Sequence, residues 1–318
     1  MQTKRGLCPE ERQLGYAKYY CLVPEPPDPV KMQLIRSGPI DPALALGAPR
    51  IAEKLFDPWG HIREPGPGQP VAGGGQAPHG TGSAAGRPGQ ETGAGHYGAE
   101  FGYCIFADGR SFMANYQRLW GVTPEMLEWW FVWHWVRPGG VPEGCGNLRY
   151  KIWCPPDHWD ACRDEETDRV FRDEGIPLCE RRLMGKGAYI CESLDLGMGD
   201  PKKDITVTDL RFEDFGVGAD ALASLNRQRC KLFAGLSSGG NKINLHFVRP
   251  VPGGVELRTR SYGGYTVRDG QVVEADVPPG SEEKLVKNLI HNIVEWQHMQ
   301  RFLPQLYAEE GWKPVGAG

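Results

Sequence analysis

The sequence predicts an α+β protein: a curved antiparallel sheet gripping one long C-terminal helix, with a small, partly helical N-terminal arm. Two observations predict it. Strand-like segments follow one another from residue 148 to 267 with hairpin-type turn signals between several of them, and a single long helical segment closes the chain. Strands in consecutive order joined by tight turns pair antiparallel, and a long helix after them must cover one face of the sheet.

Each element has a local reason. Residues 1–63 carry short apolar stretches broken by proline, such as Ala43–Leu46 and Ile51–Phe56, which suits an irregular, partly helical arm. From 64 to 98 the composition shifts to Gly, Pro, Ala, Ser and Gln with almost no large apolar residue. Such a stretch buries too little surface to offset its ordering entropy, so it is expected to be a flexible insertion. The main domain, 99–318, opens with a strand at Phe101–Gly109. Thr123-Pro124-Glu125 then supplies a capping hydroxyl, a first-turn proline and an acid at the positive end of a helix. That helix, Met126 to about Val136, is apolar all round and must be buried. Strands are expected at Leu148–Trp153, Gly187–Leu196, Ile205–Phe215, Lys231–Leu236, Lys242–Val251 and Val255–Val267. The charged stretch Asp157–Arg182 reads as a surface excursion. The final helix is expected from Glu282 to about Leu303, with Pro304 as its stop.

Bulk properties narrow the function. In a chain of 318 residues, 36 basic side chains against 40 acidic ones give a net charge of −4, with no dense basic stripe, so nucleic acid and anionic membrane surfaces are excluded as partners. No apolar run is long enough to span a bilayer and no secretory segment opens the chain, so a soluble, cytoplasmic protein is expected. Nine scattered cysteines without a C-x-x-C pair read as small buried hydrophobes, not as a disulfide framework or a thiolate zinc site.

Three positions stand out chemically. His134 lies in the Trp-rich helix. His291 and Glu295, four apart on the last helix, share a face and could hold one ion. Glu192 interrupts an apolar strand, and a buried carboxylate needs a cation or several donors. Spacing alone leaves the plainer accounts in front: a hydrogen-bonded core histidine, and a solvent-facing pair beside the stripe Leu285, Leu289, Ile293 and Trp296. Gly235-Leu-Ser237-Ser-Gly239 matches a nucleophile elbow in form, but a strand follows where a helix is required, so a hairpin turn is the reading.

Longer strings change the balance. Gly102-Tyr-Cys-Ile-Phe-Ala-Asp-Gly109, Gly121-Val-Thr-Pro-Glu-Met-Leu-Glu-Trp-Trp-Phe-Val-Trp-His134, Leu148–Trp153 with Asp157-His158, His246-Phe-Val-Arg249, Gly253–Arg260 and His291-Asn-Ile-Val-Glu295-Trp occur in that order. Together they resemble the diacetylphloroglucinol hydrolase and phloretin hydrolase family over most of the chain outside 64–98 and 160–186. The resemblance implies a Bet v 1-like helix-grip catalytic domain, a homodimer, and one Zn2+ held by two histidines and two glutamates. It implies His134, Glu192, His291 and Glu295 as ligands, with Glu165 and Glu166 as rivals of Glu192 and His298 as a neighbour or competitor. His246 is implied as the additional active-site histidine and is the candidate proton shuttle; Tyr262 or Tyr265, on the strand after it, is the candidate contact to a phenolic oxygen, with structural packing as the alternative for either. Trp130, Trp133 and Tyr265 are expected to contact a flat aromatic substrate. Met126, Trp133, Trp135 and Arg137 around His134 depart from the family's polar ring-binding residues. The expected reaction is zinc-dependent hydrolysis of the bond between an acyl group and a polyhydroxylated ring. The alternatives are a zinc-dependent aromatic acyl transferase, or a helix-grip carrier of hydrophobic ligands without chemistry.

Overall fold

The computed structural model describes residues 6–42, 45, 100–184, 187–194, 196–197, 202–237, 239–276 and 279–317. The stretch 64–98 and the apolar stretches around 43–46 (Ala45 apart) and 51–56 lie outside them. An eight-stranded antiparallel sheet runs in the order β1 (Gly102–Ile105), β2 (Ser111–Trp120), β8 (Gly254–Gly263), β7 (Lys242–Val251), β6 (Lys231–Ser237), β5 (Lys202–Leu210), β4 (Gly187–Glu192), β3 (His158–Arg163). A hairpin of β9 (Tyr265–Arg268) and β10 (Gln271–Glu274) extends beyond it, because the expected strand Val255–Val267 breaks at Gly264, whose φ of 87° suits a residue without Cβ.

The helices are α1 (Pro29–Arg36), α2 (Pro124–Trp133), α3 (Leu148–Lys151), α4 (Glu165–Arg172), α5 (Leu178–Leu183), α6 (Ala219–Arg227) and α7 (Glu282–Glu310). Thr123 caps α2 as its chemistry predicts, its hydroxyl accepting from the Met126 amide at 3.3 Å. That helix stops at Trp133, so His134 is its C-cap. α7 crosses β1 and β2 and carries on through Pro304. The missing amide removes one hydrogen bond, whereas Leu303 and Leu306 are fully buried on either side of it. The main apolar core lies between α2, α7 and the N-terminal 3-10 turns, where Tyr16 and Tyr19 pack against Trp133 and Phe302.

Several expectations fail for identifiable reasons. Leu148–Trp153 is not a strand: Asn147 caps the short helix α3 by accepting from the Arg149 amide at 3.0 Å. The charged stretch Asp157–Arg182 is not a surface excursion either. It contains β3, α4 and α5, with Asp157, His158 and Asp160 all buried. Asp160, for one, has its charge met by Arg137 and by the Tyr189 hydroxyl. Among the cysteines, Cys8 and Cys145 form a disulfide, and Cys21 and Cys179 are exposed. Gly235–Ser237 end β6 and pair with the start of β7, so a strand and not a helix follows the segment, as expected.

Candidate functional site

A cleft of about 190 Å³ opens between α7, α2 and the inner face of the sheet. Strand alternation decides which side chains reach it. On β4 these are Ala188, Ile190 and Glu192; on β7, Lys242, Asn244 and His246; on β8, Thr259. A bulge between His158 and Asp160 shifts the parity of β3, so that Arg163 lines the cleft while His158, five positions before it, reaches the cleft residues Glu192 and His291.

At one end four side chains converge. The Nε2 atoms of His158 and His291 are 3.3 Å apart. Glu192 Oε2 lies 3.5 Å from the first and 4.0 Å from the second. Glu295 Oε2 lies 3.7 Å and 3.6 Å from the same two nitrogens. His158 stands opposite Glu192 in the β3–β4 ladder, whereas His291 and Glu295 are one turn apart on α7. Both members of the α7 pair are buried, contrary to the solvent-facing alternative, because their flank of the helix faces the cleft. Cys154 Sγ also lies within 4.8 Å of ring nitrogens of His158 and His291.

The surroundings fix these groups. His291 Nδ1 is 2.7 Å from Asp157 Oδ2, and Asp157 Oδ1 accepts from Ser193 (2.8 Å) and the Gly197 amide (2.9 Å). His158 Nδ1 lies 3.2 Å from the Tyr150 carbonyl, and its ring stacks on Tyr150 at 4.0 Å. The Tyr150 hydroxyl donates to Glu192 Oε2 at 2.5 Å. Glu295 Oε1 accepts from Asn292 at 2.7 Å. Asn292 accepts in turn from Asn115, also at 2.7 Å, and Asn115 from the Lys31 ammonium at 2.8 Å. This buried chain ties α1 to the far side of the site. Burial, and then the neighbouring His291, hold His158 well below the ordinary imidazole value. His291 is opposed by its own burial but carried well above that value by Asp157, Cys154 and Glu295. Burial pushes the Cys154 thiol up, against the pull of His291.

The other expected site residues are distributed differently. His134 lines the cleft but not the group of four: its Nδ1 is 2.7 Å from the Trp130 carbonyl and its ring stacks on Trp130. As a C-cap its imidazole folds back along its own helix, and burial lowers its pKa to about 3. His158 stands where His134 was expected. Glu165 and Glu166 are exposed in the first turn of α4, far from the character of a dry site, and His298, two turns beyond His291 on α7, packs against Phe302. His246 does line the cleft, with Nδ1 2.9 Å from the Thr259 hydroxyl and a pKa lowered to about 3 by burial. Tyr262 alternates to the opposite face of β8 and packs on Phe112 and Tyr265. Trp130 and Trp133 are buried in the core behind the cleft, Trp133 beneath Arg149 and Tyr16. The aromatic wall is instead made by Phe131, Trp135, Tyr150, Trp153 and Phe233. The Asp157-His158 doublet was the available signal for the missed residues, but it lay in a stretch too charged to suggest burial.

Residues 90–308 match the family model described as the DAPG hydrolase PhiG domain. The chain is 29% identical to phloretin hydrolase of Eubacterium ramulus over 316 residues, 97% of this chain and 94% of that protein. It is 23% identical to the 2,4-diacetylphloroglucinol hydrolase of a Pseudomonas species over 228 residues, 67% of this chain and 72% of the other. The enzyme of the same name from Pseudomonas protegens is also 23% identical over 228 residues, 69% of its length. With a match across more than two thirds of its length and a cleft built from the same segments, the chain belongs to the DAPG hydrolase PhiG domain family.

Proposed function

We propose that the chain is a zinc-dependent hydrolase that cleaves the carbon–carbon bond between an acyl group and a polyhydroxylated aromatic ring. The observation that carries this is the convergence of His158, Glu192, His291 and Glu295 at the end of an aromatic-walled cleft. Ligands bonded tetrahedrally to zinc at about 2.0–2.2 Å stand roughly 3.3–3.6 Å from one another. The separations of 3.3 to 4.0 Å between these nitrogens and oxygens fit that figure with small closing movements. Two carboxylates and two imidazoles brought together in a buried place also need a cation to balance them. The Cys154 thiol, raised by burial, is the poorer donor of the five. His158 therefore takes the place that the resemblance gave to His134, and Glu192, His291 and Glu295 keep theirs.

When bound, zinc polarises a carbonyl and lowers the pKa of water toward 7. The protein's own groups do the rest. Asp157 fixes the His291 tautomer and raises its basicity as a ligand, and the Tyr150 carbonyl does the same for His158. Phe131, Trp153 and Phe233 hold a flat ring and keep bulk water away from it. The leaving group is a ring carbon, which departs readily only when the ring has taken up a proton there and become a ketone. His246 is the group for that transfer: it is neutral at pH 7, and Thr259 engages Nδ1, which leaves Nε2 for proton exchange. The bond between ring and acyl carbon then breaks with its electron pair moving to the ring ketone oxygen. Water supplies the hydroxyl that turns the acyl carbon into a carboxylic acid, and the ring is released as the free phenol.

On the same resemblance we read the sheet and α7 as a helix-grip arrangement and the enzyme as a homodimer. The test of the function is to incubate zinc-loaded protein with acylphloroglucinols and dihydrochalcones and to quantify both products by chromatography. Equimolar acid and deacylated phenol are expected. Failure of every substrate with zinc demonstrably bound overturns the proposal.

A further inference from the structure

The cleft has a second polar end. Arg163 and Asp209 both line it, at the opposite end of β3 from His158. Five residue steps at about 3.3 Å each put their Cα atoms roughly 15 Å apart along the strand, somewhat less across the bulge. The Arg163 side chain is 4% exposed and lies between two rings, its guanidinium 4.5 Å from Trp135 and 4.6 Å from Phe171. It donates Nη2 to Asp209 Oδ2 at 3.1 Å, and its buried Nε has no acceptor. A stacked guanidinium with unused donors, held beside a carboxylate inside a substrate-sized cleft, is a rigid donor-and-acceptor pair. Between this pair and the group of four, the wall on β4 is apolar, made by Ala188 and Ile190.

We propose that Arg163 and Asp209 form a distal subsite that selects substrates whose acyl arm ends in a hydroxyl group. This rests on the hydrolase reading above and adds to it which part of the substrate is recognised, and by which residues. With the scissile carbonyl held by the group of four, an acetyl substituent ends far short of Arg163. An arm of a short alkyl chain and one ring runs along Ala188 and Ile190 and brings a terminal hydroxyl to the pair, accepting from the guanidinium and donating to Asp209. A hydroxyl uses both partners, whereas a carboxylate would face Asp209 with like charge. A site built to hydrogen-bond a hydroxyl discriminates strongly against the analogue that lacks it, because its own polar groups are then left unpaired.

The test compares two acyl arms on the same trihydroxylated ring, 3-(4-hydroxyphenyl)propanoyl and 3-phenylpropanoyl, with acetyl as a third substrate. The readout is the ratio of kcat/KM between the first two, measured within one protein so that general damage to a variant cancels. The zinc-loaded wild type is expected to prefer the hydroxylated arm by at least about tenfold. Arg163→Met and Asp209→Asn are each expected to bring the ratio close to one. A wild-type ratio near one, or a ratio kept in both variants, overturns the subsite while leaving the hydrolase reading intact. Cleavage of none of the three by the wild type overturns the hydrolase reading and the subsite with it.

Discussion

His158 and His134 illustrate how a single residue's role depends on where its backbone points it. Both are buried and both lie within the matched strings; His134 lines the cleft, yet only His158 presents Nε2 to His291, Glu192 and Glu295. His158→Ala should therefore lose bound zinc and all measurable turnover, while His134→Ala keeps a full complement of metal by elemental analysis. The reverse result would restore His134 as the ligand. His246→Ala should keep the metal and lower kcat by roughly a hundred- to ten-thousandfold, the usual worth of a positioned acid–base group. A steady-state rate within twofold of wild type would remove His246 from the proton transfer. The glutamates were easier to find than the first histidine. Glu192 breaks an apolar strand and Glu295 sits one turn from a histidine, both visible along the chain, whereas His158 is surrounded in sequence by charges whose partners lie elsewhere.

At the scale of elements, α1 is joined to the site by an unusual buried cation. Lys31 is 2% exposed and donates to the Asn115 side chain and to the Tyr116 carbonyl, at 2.8 Å and 2.5 Å. Burial, opposed by Asp28, lowers its pKa from 10.5 to about 7. Between those two values the unfolded chain binds a proton at Lys31 that the folded chain does not. Stability therefore rises as the pH goes from about 7 to 10.5, by up to a few kcal/mol. Lys31→Met should flatten that rise in denaturant titrations taken at several pH values. An equally steep pH dependence in the variant would show that other groups cause it. The elements themselves were legible wherever caps and alternation were strong: Thr123 and Ser281 open their helices, and β6, β7 and β8 lie within a residue or two of their expected starts. They were not legible at Leu148–Trp153, where one asparagine cap outweighs an apolar strand-like composition, or at Pro304, where packing of the last turns outweighs a lost hydrogen bond.

The whole molecule is held by contacts between its two ends and its middle. The Cys8–Cys145 disulfide closes a loop of 137 residues and fastens the N-terminal turns to the segment before α3. Arg149 reaches across to the carbonyls of Val315 and Ala317, and Lys151 forms a buried ion pair with Glu11. Constraining so long a loop in the unfolded chain contributes at most about 5 kcal/mol. Reduction, or Cys8→Ser, should lower the unfolding free energy by an amount below that ceiling, read from denaturant midpoints. No change on reduction would mean that the pair is open in solution.

The order of matched strings along the chain pointed to the family, strand alternation and caps to the antiparallel sheet with its closing helix, and the resemblance to Glu192, His291 and Glu295 among the residues proposed to hold zinc. These are local properties: caps, strand alternation and i, i+4 spacing are written in neighbouring positions. Only the tertiary structure showed the fourth residue proposed to hold zinc, the aromatic wall and the polar far end of the cleft. A bulge in β3 and the meeting of β3, β4 and α7 turn charged side chains inward beside partners more than a hundred residues away, and no local pattern carries that information.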